Sequence, residues 1–350
     1  MKKILAFLLA AVMLFALCAC GSSEEKKDDT KTPATTKAPA NNEGEGDNND
    51  KAETLKFGLG VYVPNATATD ATEDKAGSAS VDATYAAVSV DANGKIVAVA
   101  IDTMQHKISY TTTGTTAQGE FKSKYELGDA YNMVAYGGAK LEWYAQADAF
   151  ESVVIGKNLA EVKALIAEEG KGNDAVINAG CTIAISDFVN AIEEAYNNAK
   201  ASDVTAAHTL KIAASVDQSV ADATEDKAGS NELNTTIFAA AVDAEGKIVA
   251  AASDCLQVKF TFDLTGKSTF DTAAEILTKR EKGDAYGMVA YGGSAKEWYA
   301  QADAFDAACI GKTAAEIAGL MGADYKGIDS LQAAGCTIYV SGFVAAASKI

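Results

Sequence analysis

Two histidines in 350 residues set the first limit on chemistry. His106 and His208 do not repeat; the position that matches His106 in the other half of the chain is Val258. A histidine-based triad or polyhistidine metal site is therefore nearly excluded. No Cys-x-x-Cys pair follows position 20, and no Asp-x-Asp-x-Asp-Gly calcium loop occurs. Gly58-Leu-Gly60 is half of a dinucleotide motif, but the matching stretch reads Leu210-Lys-Ile212, and no Gly-x-x-x-x-Gly-Lys-Ser/Thr element exists. Cys181, Cys255, Cys309 and Cys336 are expected as free, buried or half-buried thiols, because none has a paired histidine to activate it. No acid, base and nucleophile set recurs in both halves, so a turnover enzyme is disfavoured.

Three elements do recur, each open to two readings. Asp129-Ala-Tyr131 to Tyr136-Gly-Gly138 returns as Asp284 to Gly293. Its paired glycines suit either a tight turn before a helix or close approach of a flat ligand to the backbone. Glu142-Trp143-Tyr144 returns as Glu297-Trp298-Tyr299 and holds both tryptophans of the chain. Each tryptophan is a core anchor or a stacking platform for an aromatic ligand. Asp174 stands eight residues before Thr182, and Asp329 eight before Thr337, each threonine inside Ala-Gly-Cys-Thr-Ile. Gly180 and Gly335 there make a turn. That turn either leads into a Thr/Ile-rich strand or presents a hydroxyl, among small neighbours, for modification by another enzyme.

These elements lie in a duplication. Asp70 to Ser78 returns verbatim as Asp222 to Ser230, an offset of 152, and Gly128 to Phe150 matches Gly283 to Phe305 at 19 of 23 positions, now offset by 155. A period of this size marks a tandem of domains, which we place at 54–200 and 205–350. Each reads as α+β: a small, mostly antiparallel sheet with packed helices. Tyr85–Val90 and Lys95–Asp102 form a hairpin through Asp91-Ala-Asn-Gly94. Helices are expected over 139–150, where Trp143, Ala147 and Phe150 share a face, and over 158–169. A short strand is expected over 182–185, with Ser186 or Asp187 capping a last helix through Ala199.

The N-terminus reads as an address. Lys2-Lys3 precede an apolar run from Ile4 to Leu17, and Leu17-Cys18-Ala19-Cys20-Gly21 has the pattern of a bacterial lipoprotein signal, with Cys20 as the lipidated residue. Residues 1–20 would be the signal peptide and 21–53 a disordered acidic tether without large apolar side chains. The net charge of −18 argues against nucleic acid as a partner. A lipid anchor, a tether and a folded payload place the protein on the outer face of the cell membrane.

Taken together, the lipoprotein signal, acidic tether, Asp-x-Gly-Lys hairpin, Gly-Asp-x-Tyr, Glu-Trp-Tyr-x-Gln-Ala-Asp-Ala-Phe and terminal Gly-Cys-Thr-Ile resemble the flavinylated, FMN-binding electron-transfer lipoproteins of Gram-positive bacteria. The resemblance covers the mature chain and two FMN-carrying units. It implies that a flavin transferase links FMN through its phosphate to Thr182 and Thr337, one per repeat. Gly180, Gly335, Asp174 and Asp329 would frame the sites, with Tyr136, Tyr291, Trp143 and Trp298 as aromatic contacts. Ala179 and Ala334 stand where that family often has Ser, and Cys181 and Cys336 where it has Ala. The implied function is relay of electrons from a membrane donor, a quinone-linked dehydrogenase, to extracellular acceptors. The rival reading is a non-redox surface lipoprotein that binds a small extracellular ligand or an envelope partner.

Overall fold

The computed structural model describes residues 52–350 and, before them, the backbone of one short strand. The signal segment, Cys20 and most of the tether lie outside the described residues. Within the stretch expected to be tether, β1 (Ala34–Thr36) is a strand. The first repeat runs β2 (Leu55–Tyr62), β3 (Thr67–Thr69), β4 (Gly77–Val90) and β5 (Ile96–Tyr110). Its helices are α1 (Lys124–Leu127), α2 (Trp143–Val154), α3 (Leu159–Lys163), α4 (Asp174–Ala179) and α5 (Ser186–Asn198). β6 (Lys200–Val204) leads to the second repeat: β7 (Thr209–Ala221), β8 (Gly229–Val242) and β9 (Ile248–Phe262). There follow α6 (Lys279–Lys282), α7 (Trp298–Cys309), α8 (Ala314–Ile317), α9 (Asp329–Ala334) and α10 (Ser341–Ala347). The fold is α+β, with two antiparallel sheets.

The hairpin strands are longer than their most β-rich runs because pairing continues from Val90 opposite Ile96 to Gly77 opposite Tyr110. The turn is the expected one: Asp91 N–H bonds Lys95 O, and Gly94 supplies a φ of +76°. Alternate residues of β4 serve two different cores. Ala86, Val88 and Val90 pack with helices of their own repeat, whereas Tyr85 and Ala87 pack against the other sheet. β8 divides in the same way, with Phe238, Ala240 and Val242 toward its helices and Ile237, Ala239 and Ala241 toward the partner sheet. A strand covered on both faces reads as a continuous apolar run, which is why these segments show no polar alternation. The result is four layers: helices, sheet, sheet, helices.

A pseudo-twofold relates the halves, and polar groups cross its interface. The His106 Nδ1–H donates to Val81 O at 3.1 Å, and the Thr235 hydroxyl donates to Nε2 at 2.6 Å. Burial pushes this imidazole down to about 4, so it sits there neutral. At one crossing Lys349 Nζ meets Glu126 Oε1 at 2.6 Å and Ala214 O at 2.6 Å. At the equivalent crossing Glu194 replaces the lysine; its Oε2 accepts Val61 N–H at 3.0 Å. Burial first, then the facing Glu281, raises the Glu194 carboxyl to about 8.

Candidate functional site

α4 runs from Asp174 to Ala179 and is capped by Gly180, which adopts φ +116°, a left-handed conformation natural to glycine at a helix C-terminus. Cys181 N–H then bonds Val176 O at 3.1 Å and its side chain is buried. The chain emerges at Thr182, whose residue is exposed. The second repeat reproduces each step: Gly335 at φ +106°, Cys336 N–H to Leu331 O at 3.1 Å, and an exposed Thr337. The segment 182–185 is not a strand; it makes one isolated bridge, Ala184 to Lys171, and runs directly into α5. Ile185, not Ser186 or Asp187, occupies the cap of that helix, and the Ser186 hydroxyl bonds Gly170 O instead.

What holds each threonine is a buried glutamine. Gln146 Oε1 accepts Thr182 N–H at 2.8 Å and the Thr182 hydroxyl at 3.0 Å. Its Nε2 donates to Leu141 O at 3.0 Å, which fixes the amide orientation. Gln301 does the same for Thr337 at 2.8 and 3.0 Å, and donates to Lys296 O and Ser294 Oγ. Both glutamines are 1% exposed. Each hydroxyl thus gives its proton to a buried acceptor on a residue that is otherwise exposed.

Glu142 forms the next link. α2 starts at Trp143, four residues later than expected, because Glu142 turns its carboxylate back to accept Met133 N–H at 2.8 Å and Val134 N–H at 3.0 Å. Glu297 repeats this with Met288 and Val289 at 2.9 and 3.0 Å. These bonds tie down a loop whose tip is exposed: Tyr136 is 88% and Tyr291 93% exposed. The far end of the loop reaches the threonine turn, where Leu141 Cδ1 lies 3.1 Å from the position a Cβ would take on Gly180. In the second repeat Lys296 occupies that place, its Nζ bonded to Ala334 O at 3.1 Å. Val134, Tyr136 and Leu141 of the loop and Ile177 of α4 are exposed apolar side chains.

The other sequence-named residues lie elsewhere. Asp174 and Asp329 are exposed and open α4 and α9, so a helix of six residues, about 9 Å long, separates each carboxylate from its threonine. Trp143 and Trp298 are 3% and 4% exposed. Trp143 packs edge-on to Phe188 and Trp298 stacks on Phe343, with Lys124 Nζ and Lys279 Nζ 5.6 and 5.7 Å from their ring centres. Those rings are spent on the core; Tyr136 and Tyr291 reach solvent, as do Tyr325 and, two residues beyond Thr337, Tyr339. Glu142 is named from sequence only as part of the tryptophan element, without a role of its own, and Gln146 is not singled out. Gln146 did carry a signal: it is a polar residue in the i+3 place of the apolar Trp143, Ala147, Phe150 face.

Cys181, Cys255 and Cys336 are free, and burial raises each thiol to about 11; Cys309 is raised as well. None is a nucleophile at neutral pH. Among the described residues, no group of three or more His, Cys, Asp or Glu could hold a metal ion, and no helix is long and apolar enough to cross a membrane. No family model, curated protein or solved structure matches the chain.

Proposed function

We propose that the protein is an extracellular electron carrier, lipid-anchored through Cys20, with FMN attached through its phosphate to Thr182 and Thr337. The observation that carries this reading is the twin hydroxyl: two exposed threonines on glycine turns, each oriented by a buried glutamine. Covalent attachment needs a reachable residue, and the exposure of both threonines supports this reading. The flat ring system needs an apolar resting place, and the exposed Val134, Tyr136, Leu141 and Ile177 of the loop and α4 would supply apolar surface for it in the first repeat. Val289 and Tyr291 repeat part of that surface in the second. Lys296, over the Gly335 turn, gives the second site a cation for the phosphate.

Bound flavin would supply one- and two-electron transfer that no side-chain set here offers. The chain's own residues would place it: Gln146 and Gln301 orient the attachment oxygen, and Glu142 and Glu297 brace the loop that flanks it. Electrons would enter from a quinone-linked membrane dehydrogenase and leave to a diffusible acceptor. Intact-mass measurement of the protein co-expressed with a flavin transferase tests this. Two FMN additions are expected, one lost in Thr182→Val and the other in Thr337→Val. An unmodified mass without flavin absorbance refutes it. Cys20→Ser should release the protein from membranes; retention in the membrane fraction counts against the anchor.

A further inference from the structure

The two threonine turns differ in what surrounds them. The 155-residue offset sets Lys296 where the first repeat has Leu141, Tyr325 where it has Gly170, and Tyr339 where it has Ala184. All three changes fall beside Thr337. Lys296 covers Gly335, and its Nζ donates to Ala334 O at 3.1 Å, three residues before the threonine. Tyr339 stands two residues after it, so their Cα atoms are at most about 7 Å apart. Ile338 between them packs into the core, while Thr337 and Tyr339 are both exposed. Val340 N–H bonds Tyr325 O at 2.8 Å, which ties Tyr325 to the same segment.

Tyr325 is held at φ +64°, in the left-handed region that its counterpart Gly170 occupies at φ +73° without steric cost. A bulky residue there is strained. Burial does not offset that strain, since Tyr325 is 61% exposed. Folding alone favours glycine at this position, as in the first repeat. Tyr339 is 64% exposed, with Lys326 Nζ 5.7 Å from its ring centre. The counterpart of that lysine, Lys171, instead pairs with Glu169 at 3.4 Å. Asp324 replaces Glu169 and accepts the Lys326 N–H at 3.2 Å. The second turn thus joins two lysines to two exposed aromatic rings, in a chain whose net charge is −18. A flat aromatic ligand stacks on a tyrosine ring, and a lysine ammonium recognises phosphate. Lys296 spends one of its three donors on Ala334 O and keeps two.

We propose that the Thr337 turn is a non-covalent binding site for FMN, and that the Thr182 turn, with Leu141 and Ala184 in the matching places, is not. Tyr339 takes the flat ring, Lys296 takes the phosphate, and Tyr325 flanks them. The choice of FMN as occupant rests on the proposed function; the difference between the two turns does not.

The mature chain made without a flavin transferase and titrated with free FMN tests this through quenching of flavin fluorescence. One FMN per chain is expected. Tyr339→Ala and Lys296→Leu each install the residue that the first repeat carries, and each should weaken binding by about tenfold or more. Thermal unfolding of both variants checks that they fold. Riboflavin, which lacks the phosphate, should bind more weakly than FMN and be indifferent to Lys296→Leu. Absence of saturable quenching up to about 1 mM overturns the proposal. So do two equivalent sites per chain, or binding that neither substitution weakens. Intact mass after co-expression with the transferase judges covalent attachment separately. A chain that carries two FMN additions but binds no free FMN keeps the proposed function and loses this site; one that binds free FMN and is never modified does the reverse.

Discussion

Glu194→Gln isolates the asymmetric crossing between the repeats. The wild-type carboxyl is raised from 4.5 to about 8, first by burial and then by Glu281, with Asp254 and Glu193 adding to it and Val61 N–H opposing it. The folded protein therefore holds this proton through a pH range in which the unfolded chain has released it. Stability is fully present below pH 4.5, falls as pH rises toward 8, and stays low above that. For a fully buried group this interval would amount to about 5 kcal/mol at 1.36 kcal/mol per pH unit. Glu194 is only half-buried, and solvent screening reduces the figure to about 1–2 kcal/mol. Glutamine keeps an acceptor for Val61 N–H and removes the titration. The variant should match wild type at pH 4 and exceed it by about 1–2 kcal/mol at pH 8.5, a Tm difference of roughly 2–5 °C. Urea unfolding across pH 4–9 reads this directly. A difference that does not change with pH, or one that favours wild type at pH 8.5, would refute the reasoning.

Other perturbations follow from the same contacts. Gln301→Leu strands the Thr337 N–H and should cost about 1–3 kcal/mol in thermal unfolding; on the proposed function, FMN addition at Thr337 should also be lost. Trp143→Ala removes a core anchor and should cost about 3–5 kcal/mol, whereas Tyr136→Ser should change stability by under about 0.5 kcal/mol and, on the proposed function, alter only the absorbance of the attached flavin. Glu126→Gln breaks the Lys349 ion pair and weakens the Ser123 cap, and should lose about 1 kcal/mol at pH 7 by denaturant titration. Acid should destabilise through His106, whose depressed value means that the unfolded chain takes up a proton from about pH 6.5 downward while the folded one resists to about 4. His106→Gln should flatten that limb of the pH profile.

Local signals carried much of the architecture. The hairpin was legible because Asp91-Ala-Asn-Gly94 has turn chemistry that no packing needs to supply. The amphipathic α2 was legible from Trp143, Ala147 and Phe150, although its start was not: Glu142 has good helix propensity, and only the loop N–H groups it serves stop the helix there. The strand expected at 182–185 failed for a related reason. Its Thr/Ile composition favours extension, but Gln146 from a helix 36 residues away takes the Thr182 N–H that a ladder would use. Long-range partners of this kind leave little trace in one sequence. The repeat, by contrast, marks both glycine turns as equivalent, because the same short blocks build Gly180 and Gly335 into the same left-handed conformation.

The interface between repeats has the largest consequence for what counts as a domain. Leu55, Phe57, Tyr85 and Met104 of the first repeat share one core with Leu210, Ile212 and Ile237 of the second. Val81 and Ile108 share another with Leu233, Leu256 and Phe260, and Tyr110 stacks on Phe262 at 4.6 Å. Separation would expose two contiguous apolar sheet faces, which soluble monomers rarely tolerate beyond a few hundred Å². Residues 52–204 expressed alone should therefore self-associate or aggregate, and the intact chain should unfold in one calorimetric transition with calorimetric and van't Hoff enthalpies equal. Two resolved transitions, or a monomeric 52–204 fragment with the Tm of the whole, would mean that the sheets merely touch. A single transition would mean that two repeats legible as separate units fold as one body, with the two threonine turns held on its opposite helical layers.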